Sequence, residues 1–149
     1  MSLVTFDGTD YTLALFDASD KPLGIWPANN RTVKAAPLRF VPNDTYTVED
    51  QKAPHRHNPE EDSPDGKYGS FGIIRFLVAG HEGIGIHAGR KTKRDRTSAH
   101  ALAQDHVTEG CIRTTEEAMA VITKTMTTDP LTTVVVKNNH LQGDPRRRV

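Results

Sequence analysis

Only one stretch of this 149-residue chain carries a clear helical period, and turn signals cut the rest into short pieces. Ala118, Met119, Ile122 and Met126 recur at helical spacing behind Thr114-Thr115-Glu116-Glu117, a capping-box pattern. The spacing predicts a helix over 115–126, ended by Asp129-Pro130. A chain with one main helix must build its core from strands rather than as a helical bundle. Eleven glycines and nine prolines fit that reading, because they punctuate short strands.

The strands can be placed by alternation and β-branching. Val4 to Phe6 and Tyr11 to Phe16 flank Asp7-Gly8-Thr9-Asp10, a hairpin-turn composition. Leu23 to Trp26 follows the turn Ser19-Asp20-Lys21-Pro22, and Thr45 to Val48 follows Pro42-Asn43-Asp44. Phe71 to Ala79 and Gly83 to Ala88 read as buried strands, and Leu131 to Lys137 as a closing one. Between them, Asp50 to Gly69 is polar, Pro-rich and without a period, a long and mobile surface loop. Ser98 to Asp105 is short enough for a helical turn. No repeat or second unit is visible, so residues 1–149 are expected to form a single domain.

Lys plus Arg equals Asp plus Glu at nineteen each, which argues against nucleic acid as a partner. The basic runs Arg90 to Arg96 and Arg146 to Arg148 read first as a solvated loop and tail. A single cysteine excludes an internal disulfide. The N-terminus lacks the charged start and unbroken apolar stretch of a Sec signal, and no segment approaches the roughly 20 apolar residues of a membrane span. The expectation is synthesis in the cytoplasm, no membrane partner, and export by another route if the protein acts outside. His55 and His57 are spaced to begin a metal site, but no acidic or thiol partner stands at a suitable spacing. Neither a metal nor a cofactor is expected.

Chemistry concentrates in Ile84-Gly85-Ile86-His87-Ala88-Gly89 and Val107-Thr108-Glu109-Gly110-Cys111-Ile112-Arg113. His87 lies in period-two register with Gly85 and Gly89, and those glycines are expected to leave the strand face open to a substrate. Cys111 follows a glycine in a turn ahead of the helix, where backbone N–H groups could stabilise an oxyanion. A thiol with an ordinary pKa of about 8.5 needs a base or a cationic setting to react near neutral pH. A histidine elsewhere in the chain can supply it if the fold brings one close, and His81, His87, His100 and His106 are the candidates. The alternative from composition alone is a buried, inert cysteine.

The two segments resemble the signature of the L,D-transpeptidase catalytic domain: a strand histidine closely followed by glycine, then Ser/Thr-His-Gly-Cys-x-Arg/Asn. The resemblance implies a mostly β fold, an L,D-transpeptidase-like β-sandwich or barrel with one main helix after the catalytic cysteine. It implies Cys111 as nucleophile and His87 as base. Gly110 and Cys111 are then oxyanion donors, Arg113 orients the site or the substrate, and Thr108 and Gly89 complete the binding residues. It further implies acyl transfer or hydrolysis on peptidoglycan stem peptides, as a transpeptidase or carboxypeptidase. Two features depart from the pattern. Glu109 stands where the family has histidine, and the spacer from His87 to Cys111 is long and basic. Both are closer to the L,D-transpeptidase-like toxins delivered between bacteria by type VI secretion. That likeness implies action in a target cell's periplasm, with an immunity protein or secretion component as a further partner. His87 and Cys111 are expected to face each other across a groove rimmed by Arg90 to Arg96. The competing readings are another cysteine peptidase or amidase, and a non-enzymatic peptidoglycan- or protein-binding β module.

Overall fold

A computed structural model describes residues 1–32, 36–89, 108 and 110–141. Its strands are β1 (Ser2–Asp7), β2 (Thr12–Phe16), β3 (Pro22–Asn29), β4 (Asp44–Thr47), β5 (Ile74–Arg75), β6 (Gly85–His87), β7 (Ile112–Thr114) and β8 (Leu131–Lys137), with helix α1 (Glu116–Met126) between the last two. The molecule is mostly β, as expected. One eight-stranded sheet runs β4-β8-β1-β2-β3-β7-β6-β5.

The N-terminal hairpin forms where alternation places it. Leu3 pairs with Phe16 and Asp7 with Thr12, and the inward set Val4, Phe6, Leu13 and Leu15 is fully buried. The Asp7 carboxylate closes the turn by accepting the backbone N–H groups of Thr9 and Asp10. β8 lies parallel to β1, so Val134 and Val136 join the same core. α1 closes that core with Ala118, Met119, Ile122 and Met126, the four residues of the helical period. No helix among the described residues is long and apolar enough to cross a membrane.

Two local expectations shift. The helix is capped one residue later than the capping box implies. Thr115 is the N-cap, its hydroxyl accepting the Ala118 N–H, while Thr114 ends β7 and donates to the Pro27 carbonyl. The position for a back-bonding carboxylate is therefore Ala118. Glu116, in the first turn, instead accepts the Ser70 N–H at 2.9 Å. Phe71 to Ala79 is only briefly a ladder strand, over Ile74 and Arg75. Its neighbours make isolated bridges to different partners: Ile73 to His55, Phe76 to Val48, and Val78 to His81. Gly72 and Gly80, both at positive φ, bound the segment.

The 50–69 segment is not a loose connection. Hydrogen bonds fold it on itself: Asp62 N–H to Asn58 O, Tyr68 N–H to Glu61 O, and Gly66 N–H to Ser63 O. Its start is clasped to β5 by a two-pronged pair, Arg75 to Asp50, at 2.8 and 2.9 Å. Burial pushes the Asp50 carboxyl up, but the hydrogen bonds and charge of Arg75 outweigh this and hold it below the ordinary carboxylate value.

Candidate active site

β6 and β7 run parallel and adjacent, with Ile86 opposite Ile112 and His87 opposite Arg113. A parallel pair needs a crossover of a dozen or more residues, and this is the physical reason for the long spacer between the two motifs. Ile86 and Ile112 are fully buried. By the period of two, Cys111, Arg113 and His87 then share the opposite face. Ordinary strand spacing and rise set the Cα atoms of His87 and Cys111 about 8 Å apart. The cysteine is partly exposed and is not in a disulfide. It is therefore not the buried core thiol of the inert reading.

His87 is 5% exposed, and its Nδ1 lies 2.7 Å from the Ala88 carbonyl oxygen. A carbonyl can only accept, so Nδ1 is the donor in this contact. Cys111 Sγ contacts the Gly83 carbonyl at 3.5 Å, in the turn that leads into β6.

The cysteine turn is built from neutral hydrogen bonds. The Thr108 hydroxyl donates to the Cys111 carbonyl at 2.7 Å and accepts the Gly110 N–H at 3.2 Å. Thr108 thus braces the turn, and the Gly110 N–H points into it. Gly110 is required by its conformation and its neighbours: φ is +140°, and a Cβ would stand 2.8 Å from Ile84 Cδ1. Behind the turn, buried Asn30 donates through Nδ2 to the carbonyls of Gly110 and Cys111, at 2.9 and 3.0 Å. Asn30 Oδ1 accepts from Val41 N–H and Asn139 Nδ2, at 2.7 and 3.0 Å. The sequence reading missed this amide network.

The glycines around His87 admit protein, not substrate. A Cβ on Gly85 would stand 2.5 Å from the Ile74 carbonyl and 2.6 Å from Ile73 Cγ1. A Cβ on Gly89 would meet the carbonyls of Gly66 and Lys67 at 2.5 and 2.8 Å. The open strand face is therefore corrected: Gly89 is where the 50–69 segment docks. Arg113 is buried, and its guanidinium donates to the Gly89 carbonyl, tying the ends of β6 and β7 together.

His81 is not on β6. It sits in the tight turn before that strand, its N–H bonded to the Val78 carbonyl. His100, His106, Glu109, Ser98 to Asp105 and both basic runs, Arg90 to Arg96 and Arg146 to Arg148, lie outside the described residues. No cluster of three or more metal-ligating side chains occurs among the described residues.

The other unforeseen part is a train of rings. Tyr68 meets His87 edge-on, at 5.2 Å between centroids and 75°. His57 stacks on Tyr68 at 3.9 Å and 6°, and His55 meets His57 edge-on at 5.0 Å. The buried Asp62 carboxylate accepts the His57 backbone N–H and lies 3.1 Å from His57 Nδ1. Only the polar composition of this stretch was visible in sequence, which does not reveal its folding.

A family model for the L,D-transpeptidase catalytic domain (YkuD) matches residues 18–136. A search of curated proteins finds no match. Among solved structures, Bdellovibrio bacteriovorus Bd1075 superposes with a TM-score of 0.61 at 11% identity, over 93% of this chain and 48% of that one. An L,D-transpeptidase from Xylanimonas cellulosilytica superposes with a TM-score of 0.54 at 16% identity, over 91% and 59%. L,D-transpeptidase 3 from Mycobacterium tuberculosis, solved with a faropenem-derived adduct, gives 0.54 at 14% identity, over 91% and 59%. The chain thus spans about half to three-fifths of each neighbour's length, and the shared property at these identities is the fold.

Proposed function

Because the chain belongs to the L,D-transpeptidase catalytic domain family, we propose that it carries out cysteine-dependent acyl transfer on peptidoglycan stem peptides, with Cys111 as nucleophile and His87 as general base. The observation that carries this reading is the β6–β7 pairing, whose register sets a partly exposed thiol and an imidazole bonded through Nδ1 on adjacent strands.

In this mechanism His87 Nε2 takes the thiol proton as Sγ attacks the carbonyl between meso-diaminopimelate and a terminal D-alanine. The peptide C–N bond then breaks, the proton passes from His87 to the leaving amine, and a thioester remains on Cys111. Water attack on the thioester gives a carboxypeptidase; amine attack gives a transpeptidase or exchanges the terminal D-amino acid. Backbone N–H groups of the Gly110–Cys111 turn are the proposed oxyanion donors.

The test is incubation of purified muropeptides with the protein, read by mass spectrometry. Wild type should release or exchange terminal D-alanine. Cys111→Ala should do neither while melting within a few degrees of wild type, since a partly exposed thiol contributes little stability. Turnover by Cys111→Ala at the wild-type rate would exclude the mechanism. The faropenem-derived adduct of the M. tuberculosis neighbour suggests a second probe. Faropenem should add mass to wild type and none to Cys111→Ala. The type VI likeness extends the proposal to delivery into another cell's periplasm. Expression with an added export signal should then arrest growth, and cytoplasmic expression should not.

A further inference from the structure

The Nδ1–Ala88 bond leaves Nε2 as the basic nitrogen of the proposed mechanism, and a second element of the fold packs against the His87 ring itself. The 50–69 segment supplies a wall. Tyr68 presents its ring at 75° to His87, and its plane is in turn set by the parallel face of His57, 6° away. His57 is anchored by Asp62, whose side chain is only 2% exposed, through both the backbone N–H and the ring Nδ1. Arg56 Nε lies 3.5 Å from the same carboxylate. The wall is also pinned beside Tyr68. Gly69 packs so tightly that a Cβ there would lie 2.8 Å from Gly89 N and 2.7 Å from Glu116 Oε1, and Glu116 holds the Ser70 N–H.

We propose that Tyr68 is a positioning residue for the general base: the Asp62-anchored His57–Tyr68 stack holds the His87 ring in the orientation that aims Nε2 at Cys111. The inference rests on the Cys111–His87 pair of the proposed mechanism and deepens it. Tyr68 acts through His87 by shape, so the ring is needed and the hydroxyl is not.

The experiment is the rate of Cys111 alkylation by iodoacetamide in the full chain at neutral pH, with thermal melts as the folding control. His87→Ala should slow alkylation, and Tyr68→Leu should slow it about ten-fold or more, since misplacing a reacting group by about 1 Å can cost 10²-fold. Tyr68→Phe should restore the rate. Asp62→Asn, which keeps the side chain's volume, should fall between. Nitrogen NMR of the imidazoles adds a readout that stability alone does not move. The His87 signals should show a single Nδ1–H tautomer in wild type and Tyr68→Phe, and shift toward tautomer averaging in Tyr68→Leu. Alkylation of folded Tyr68→Leu at the wild-type rate, with His87→Ala slow, overturns the positioning role and leaves the catalytic pair standing. A wild-type rate in His87→Ala overturns the pair itself. If Tyr68→Leu does not fold, Asp62→Asn decides, and a wild-type rate there overturns the proposal.

Discussion

On the cysteine side of the site, the contacts are hydrogen bonds between neutral groups: Thr108 to Gly110 and Cys111, and Asn30 to the same turn, with Asn139 behind it. On the histidine side they are ring faces and carboxylates: Tyr68 and His57 against His87, Asp62 under His57, Glu116 on Ser70, and Asp50 on Arg75. The difference suits the two tasks proposed for Cys111 and His87. A nucleophile that must meet a carbonyl carbon needs its backbone fixed, and directional bonds to main-chain carbonyls do that. A base that must turn one nitrogen toward the thiol needs its ring plane fixed, and packing does that. The two sides should therefore fail differently.

The largest effect should come from the histidine itself. His87→Ala should lose about 10²- to 10⁴-fold in turnover, the usual range for general-base help, while His81→Ala, in a turn off the strand, should lose little. Muropeptide turnover by folded proteins checks both. If His81→Ala is the more damaging, the base is misassigned.

A smaller effect, on stability rather than chemistry, should come from the other side. Asn30→Leu keeps approximate volume but removes both donors to Gly110 and Cys111 and the acceptor for Val41 and Asn139. An unsatisfied buried polar group costs about 1–3 kcal/mol, and several are created at once. The melt should drop by many degrees, and the size of the drop should be nearly independent of pH around neutrality because the network contains no titrating group. A melt close to wild type would show that the amide network does not hold the turn.

The contrast also explains what could be read from the chain beforehand. The hairpin, β8 and α1 were legible because their signals are local: alternation, β-branching and a 3.6-residue period. The Cys111 turn was legible because Thr108, Gly110, Cys111 and Arg113 sit together in sequence. Its support was not, because Asn30 lies 80 residues from Gly110 and 109 from Asn139, and an isolated asparagine carries no pattern. The 50–69 segment was hidden for a different reason. Its order comes from turns, stacked rings and a buried carboxylate, none of which has a period. The glycines misled in a specific way. A missing Cβ shows that something comes close, and here Gly85 and Gly89 admit Ile73, Ile74 and the 66–69 backbone rather than a substrate.

The smallest expected effect tests whether the histidine side alone carries the acid sensitivity. The Asp50 carboxyl is held below its ordinary value by Arg75, with its side chain 12% exposed. A carboxyl whose pKa is lowered on folding adds stability above its unfolded pKa, about 3.9, and loses that stability as pH falls through the lower folded value. The wild-type melting temperature should therefore fall from about pH 4 downward. Asp50→Asn should melt lower than wild type at pH 7, since it removes the charge of the clasp, and should show a shallower fall below pH 4. Burial pushes the Asp7 carboxyl up, but the Asp10 N–H, the Asn138 amide, the Thr9 N–H and the Lys137 charge together outweigh it and hold the carboxyl low. Some acid dependence must therefore remain, and it belongs to the hairpin turn rather than the site. Asn30→Leu should keep the full wild-type slope from a lower starting point. Equal slopes in Asp50→Asn and wild type would mean that the Arg75 clasp contributes no acid sensitivity. A flattened slope in Asn30→Leu would mean that the two sides of the site are not separable, because loss of the neutral network would have loosened the carboxylates as well.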